Sequence, residues 1–315
     1  MANGDSAAAA IVRGQKKADD VLARRKIARE RRASVLAAHP GRLELSVQVA
    51  STTEQIGTGR LQTAGFLVAA GDSWFDYPFY DVLKLLEDNH GYNVESAAHA
   101  GDPIEAMANQ GGQLDKFARC LEKVVAQGAT PKAVLLSGGG DDIAGREFGM
   151  LLNNFTSSIG GWNAEIVDGV LNQRIVTAYN SMLGSIDRLC QQDVGKSLPI
   201  LVHGYDYPVP DGRGFWGGWP FPGPWLEPGF REKLFNVLNQ KVALMHDIID
   251  RFNNMLARLV ENPAFGYVHY VDLRNTLSTE LAGDAYKVWW DNELHPTEKG
   301  FNAVTEKFAK ELSNL

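Results

Sequence analysis

The chain predicts an α/β protein, a three-layer αβα sandwich around a mostly parallel five-stranded sheet, preceded by an N-terminal helix and strand. Three observations carry this expectation. From Gly65 onward, short apolar runs recur with little polar alternation, as strands buried on both faces require. Segments of helical character separate them, the arrangement that builds parallel sheets. Polar or glycine-rich turns close the runs.

The first sixty residues form an extension ahead of the main domain at 61–315. Residues 13–32 are dense in Lys and Arg, and a helix is expected to run to about Ala38, with Val21, Leu22, Ile27 and Leu36 as a thin apolar stripe. Its charged side is expected to be a solvated face packed beside a globular body, with anion or partner binding as the other use. His39, Pro40 and Gly41 stop the helix, and RLELSVQV then alternates as a half-buried strand does. Strands are expected at GFLVAAG, YNVESAA, KAVLLSGG, SLPILVHGY and FGYVHYVD. Helices are expected over DVLKLLEDN, over 103–128 around a Gly-Gly interruption, and around 164–191 and 230–260.

One segment breaks this rhythm. Residues 205–230 hold three tryptophans among many prolines and glycines, directly after a strand. An irregular stretch of that length is uncommon without a role at a site, so it is expected to form a substrate-facing wall or lid. The competing expectation is a rigid plug over a sheet edge or a dimer interface.

Composition narrows the function classes. Hydrophobic residues make up 44% of the 315 and charged residues 22%, enough apolar material for a large core. The net charge of -7 offers no general attraction to nucleic acid or an anionic membrane. Cys120 and Cys190 are too few for a thiolate metal cluster. No apolar run reaches the roughly 18 residues of a membrane span, and the N-terminus lacks the basic start of an export signal. A cytoplasmic protein is expected, with no nucleic-acid partner, no cofactor and no metal; a homo-oligomer is compatible. Neither HExxH nor the phosphate-cradling GxxxxGK[ST] occurs, although SGGGDD is glycine-rich.

Three polar clusters follow inferred strands: GDS at 71–73, SGGGDD at 137–142 and NELHPTEKG at 292–300. Open parallel sheets gather such ends into one crevice. Together with AAHAGDP, these blocks resemble the SGNH hydrolases, the GDSL esterase/lipase family. GDSW resembles its nucleophile block, and Gly101 its second-block glycine. Gly139, Gly140, Asp141 and Asp142 match Gly-x-Asn-Asp, while Asn292 to Pro296 match Asp-x-x-His-Pro. The resemblance covers about Gly65 to Leu315. It implies a flavodoxin-like sheet and a serine esterase or lipase acting on a small or lipid-like ester. Phospholipid, thioester and carbohydrate-acetyl bonds are the other substrates open to it, and a weak or inactive binding protein is the non-enzyme alternative.

Ser73 is then the nucleophile and His295 its base, since a neutral hydroxyl needs an adjacent base. His203 is the second histidine to consider. Two positions depart from the family pattern. Asn292 replaces the triad aspartate, so either Asn292 or neighbouring Asp291 orients His295, with Glu293 a weaker choice. Asp141 replaces the oxyanion asparagine. When ionised it accepts only, and it could donate only if its pKa were raised. The resemblance assigns the remaining oxyanion donors to the backbone amides of Ser73 and Gly101. Asp72 and Asp142 are expected to hold nearby backbone amides. Trp74, Phe75, Tyr77, Trp216, Trp219 and Trp225 are expected to supply apolar contacts to substrate.

Overall fold

The computed structural model describes residues 2–38, 63–110, 112–145 and 147–315. Strands β1 (Gly65–Ala70), β2 (Tyr92–Ser96) and β3 (Pro131–Leu136) come first. A two-stranded ribbon follows, made of β4 (Leu152–Asn153) and β5 (Gly161–Trp162). Strands β6 (Ile200–His203) and β7 (Val268–Val271) complete the sheet. The sheet order is β2-β1-β3-β6-β7 with every pair parallel, the flavodoxin-like order. All five expected strands are present. The central ones, β3 and β6, are buried almost throughout, which explains their unbroken apolar sequences.

Helices cover both faces. Val82–His90 packs with Glu298–Ser313 on one side, whereas Gly112–Ala126, Val176–Asp193 and Leu238–Val260 cover the other. In Gly112–Ala126, Leu114, Phe117, Ala118, Leu121 and Val124 recur at helical spacing and are all buried, the signature of one apolar stripe. Asp81 caps Val82–His90 by accepting from the Lys84 amide at 2.8 Å, and Gly91 ends the helix at φ 70°.

The N-terminal helix runs over Ala2–Ala38, starting earlier than its basic cluster suggests. It lies on Val176–Asp193 at very short range. A Cβ on Gly14 would stand 1.9 Å from the Ser181 carbonyl oxygen, and one on Gly184 would stand 2.8 Å from that of Ile11. Ser185 Oγ donates to the Gly14 carbonyl at 2.7 Å, and Arg25 pairs with Glu122 at 2.5 Å. Val21 is buried as expected. Ile27 is not: it is exposed on the side of the helix turned away from the body, which Arg25 and Arg29 still reach through Glu122 and Asp193. The strand expected in RLELSVQV and the stop at 39–41 lie outside the described residues. Among the described residues, no helix is long and apolar enough to cross a membrane.

Gly14→Ala should lower stability by about 1–3 kcal/mol through overpacking, read as a lower denaturant midpoint. An unchanged midpoint would contradict the close helix approach.

Candidate active site

The carboxyl ends of β1, β3 and β6 meet at one carboxylate. Gly71 follows β1, and a Cβ there would stand 2.7 Å from Ser137 Cβ, so only glycine lets the two strand ends approach. Asp72 comes next and is buried. Its Oδ1 accepts from the Trp74 amide at 3.0 Å and the Ser137 hydroxyl at 2.6 Å, and its Oδ2 accepts from the Tyr205 hydroxyl. Tyr205 in turn accepts from the Gly140 amide at 3.2 Å. The turn carrying Ser73 is thereby bonded to the loops after β3 and β6.

Ser73 Oγ lies 2.7 Å from His295 Nε2, and His295 Nδ1 lies 3.0 Å from Asn292 Oδ1. The amide of Asn292 can face only one way. Its oxygen also meets the Leu294 and His295 amides, each at 3.0 Å, while its nitrogen meets Tyr77 Oη at 2.9 Å and Asp291 Oδ2 at 3.2 Å. Three donors face the oxygen and two acceptors face the nitrogen. Nδ1 of His295 must therefore carry the proton, which leaves the Nε2 lone pair directed at Ser73. The ring is held between Tyr77, stacked with centroids 4.2 Å apart, and the edge of Trp225 at 5.6 Å.

Asp291 does not orient His295 directly. Its carboxylate accepts from Tyr77 Oη at 2.9 Å, and Asn292 stands between it and the ring. Glu293 does not do so either. Its buried carboxylate turns away and accepts from the amides of Gly212, Trp225, Leu226 and Glu227 at 2.7–3.0 Å. Tyr77, expected as a substrate contact, is buried with its ring stacked on the imidazole. Phe75 is likewise buried, against His203 and Phe308.

A cavity of about 50 Å³ adjoins Ser73. Asp72, Trp74, Asp141 and Tyr205 line it with the apolar side chains of Ile143, Leu226, Met245 and Ile249. Burial pushes Asp141 up to about 7, helped by the charges of Asp72, Asp142 and Asp102. Burial also raises Asp142, to about 6, although the Ile104 and Glu105 amides bond its carboxylate. Asp142 thus holds the start of a neighbouring helix and not its own turn. Burial drives His295 in the other direction, down to about 3. Gly101 sits exposed in the turn after β2 with φ 85°. That turn is bonded to the turn carrying Ser73 through His99 N to Gly71 O at 2.9 Å and Ala100 N to Asp76 Oδ2 at 3.0 Å.

The tryptophans of 205–230 separate by position. Trp225 contacts the His295 ring. Trp216 stacks with Phe215 and Phe79 and is largely exposed, while Trp219 is 94% exposed and lines no part of the cavity. Two buried carboxylates that sequence reasoning missed fix the base of this segment. Glu293 holds its far end, and Asp206 accepts from the Asn275, Thr276 and Leu277 amides at 2.6–2.9 Å. For Asp206 the available signal was an acidic residue among apolar neighbours in YDYPVP, which when buried needs several donors; Glu293, in the polar stretch DNELHP, offered none.

A second hydrogen-bond chain resembles a catalytic triad. His203 Nε2 lies 2.8 Å from Ser137 Oγ, which bonds Asp72, while His203 Nδ1 lies 2.6 Å from the Gly204 carbonyl. Here serine is the middle member, and Ser137 and His203 are completely buried. Among the described residues, no group of three or more His, Cys, Asp or Glu is gathered as a metal site would be.

No family profile and no curated protein matches the chain. Solved structures similar to it include a protein named for platelet activating factor from Streptococcus pneumonia. It is 15% identical, covers 89% of this chain and 98% of its own, and has a TM-score of 0.44. A protein described as a GDSL-like lipase from Parabacteroides merdae is 12% identical over 80% and 98%, with a TM-score of 0.42. An acetylxylan esterase from Geobacillus stearothermophilus is 14% identical over 80% and 96%, with a TM-score of 0.39.

Glu293→Ala should leave four inward-facing amides without their acceptor. An unmet buried group costs about 1–3 kcal/mol, so limited proteolysis should cut within 212–227, where the wild type resists. Equal resistance in both would show that Glu293 does not hold the segment.

Proposed function

We propose that the protein is a serine hydrolase of short-chain carboxylic esters, with Ser73 as nucleophile and His295 as base. The carrying observation is the 2.7 Å Ser73 Oγ to His295 Nε2 contact, with the opposite ring nitrogen committed to Asn292. Nε2 takes the hydroxyl proton as Oγ attacks the ester carbonyl, giving a tetrahedral intermediate. The protonated ring then delivers that proton to the departing alkoxide, leaving an alcohol and an acyl-Ser73. Water, deprotonated by the same nitrogen, hydrolyses the acyl-enzyme. Ser137 is unsuited to this role because it is fully buried and its hydroxyl is engaged with Asp72.

The backbone amides of Ser73 and Gly101 are proposed to receive the developing oxyanion. Asp141 adds a donor while it is protonated, an acid kept neutral by its surroundings. The cavity sets the acyl size. Its small volume, about 50 Å³, and its mostly apolar lining favour a short acyl group over a long lipid chain.

A fluorophosphonate probe should label the wild type and Ser137→Ala but not Ser73→Ala. Labelling that survives Ser73→Ala, or a folded wild type that is never labelled, sinks the assignment. Across p-nitrophenyl esters, kcat/KM should fall by about tenfold or more from acetate to octanoate, since the longer chain cannot enter without opening the cavity; a rise with chain length would exclude the acyl-pocket assignment.

The pH profile follows from the two shifted groups. Asp141 loses its proton as pH rises through about 7, and its charge then opposes the oxyanion. His295, held down near 3, stays an unprotonated base across the acidic range. kcat/KM should therefore decline above about pH 7 without a matching loss on the acid side down to about pH 4. Asp141→Asn, which keeps a donor at every pH, should abolish the alkaline decline. Persistence of that decline in the variant would assign it to another group.

A further inference from the structure

The triad position opposite Ser73 carries an uncharged amide, yet a carboxylate stands immediately behind it. Asn292 Nδ2, Tyr77 Oη and Asp291 Oδ2 form a closed triangle with edges of 2.9, 2.9 and 3.2 Å. Its protons can be assigned in one way. Burial and the adjacent Asp291 charge raise the Tyr77 phenol well above its usual range, so it remains a donor. Its single hydrogen goes to Asp291 Oδ2, and its oxygen accepts one Asn292 N–H. The Asn292 amide nitrogen also meets that carboxylate oxygen at 3.2 Å, a bent contact because its two N–H bonds diverge more widely than the two acceptors do. The amide is thus pulled from its nitrogen end by an anion while its oxygen end meets the Nδ1–H of His295.

We infer that Asp291 is a positioning residue that acts through Asn292, so that the carboxylate, amide and imidazole work in series with Tyr77 holding the joint. Hydrogen bonds in a chain polarise one another, and withdrawal of N–H density toward an anion makes the amide oxygen a better acceptor. That gain is greatest when His295 becomes an imidazolium, which is the moment a direct carboxylate would otherwise serve. The backbone favours the arrangement. Arg213 Nη1 donates to the Asp291 carbonyl at 2.8 Å and to the Trp290 carbonyl at 3.0 Å, while its Nε pairs with Asp211. The guanidinium therefore fixes the Asp291 main chain and leaves the carboxylate to Tyr77 and Asn292.

This inference rests on the Ser73–His295 reading, and its test separates the two. The variants are Asp291→Asn, Tyr77→Phe and the double exchange Asp291→Asn with Asn292→Asp, which swaps the order of the two residues. The readouts are kcat and KM on p-nitrophenyl acetate and the rate of fluorophosphonate labelling at Ser73. Asp291→Asn keeps the side-chain shape and removes the charge. It should lower kcat and the labelling rate by about 10- to 100-fold with KM within about twofold, a fraction of the loss seen when a directly bonded carboxylate is removed. Tyr77→Phe should lower kcat in the same direction with KM similarly kept. The swapped pair, with a carboxylate returned to the ring, should recover to wild-type kcat or above. A purely structural role predicts no such recovery. An Asp291→Asn enzyme as fast as wild type, or a swapped pair as slow as Asp291→Asn alone, overturns the series arrangement while labelled Ser73 keeps the hydrolase reading. If one variant fails to fold by circular dichroism, the others carry the same comparison. Wild-type Ser73 that resists labelling overturns both.

Discussion

The carboxylate of Asp72 is the constraint on which the crevice depends. A buried anion is costly unless several donors surround it, and here the donors come from three strand ends: the Trp74 amide after β1, Ser137 after β3 and Tyr205 after β6. Satisfying the charge therefore requires the three ends to converge. The same bonds set the turn at Ser73 and, through Tyr205, reach the Gly140 amide beside Asp141. The Ser137–His203 chain belongs to this scaffold. With serine between the other two and the far ring nitrogen on a carbonyl, it has the residue types of a triad but not its order, and it has no opening for substrate.

The same device recurs in the 205–230 segment. Asp206 and Glu293 each draw several backbone amides around one buried carboxylate, fixing two ends of a chain that has almost no regular secondary structure. Glu293 couples that segment to the loop carrying His295, since it lies between Asn292 and His295 and accepts from the amide of Trp225, whose ring meets the imidazole. The aromatic tip has no comparable anchor. Phe79, Trp216, Trp219 and Phe221 stay exposed around the rim, so the segment is rigid at its base and open at its end.

The sheet was legible because burial on both faces demands continuous apolar runs, and GFLVAAG, KAVLLSGG and SLPILVHGY are such runs. The GDS and HP blocks were legible for a related reason: polar residues at the ends of buried strands have few places to go. Sequence could not choose between Asp291 and Asn292, because their order along the chain does not give the direction each side chain takes from a bent loop. It could not place Glu293, whose four partners lie 66 to 81 residues away. Trp219 shows the opposite failure. Its type suggested an apolar contact, but a large side chain at a loop tip with no neighbours above it stays in solvent. Tyr77 was read for its ring alone, whereas its hydroxyl completes the bonding around Asn292.

Asn292 and Asp141 make sense together as one electrostatic arrangement. Asn292 beside His295 and, below about pH 7, a protonated Asp141 add no formal charge to the site, which leaves Asp72 as the carboxylate in the cavity wall. Burying an unpaired carboxylate next to a small apolar cavity would require its own compensating donors, and neither position then needs them. In the proposed reaction the imidazolium and the oxyanion would form together there in the transition state and attract each other. What this arrangement gives up is a fixed anion touching the ring before reaction. The nearest substitute, Asp291, is exposed and one amide removed, so water weakens its pull on the imidazolium. Burial, with no anion in direct contact, leaves His295 a histidine of low basicity.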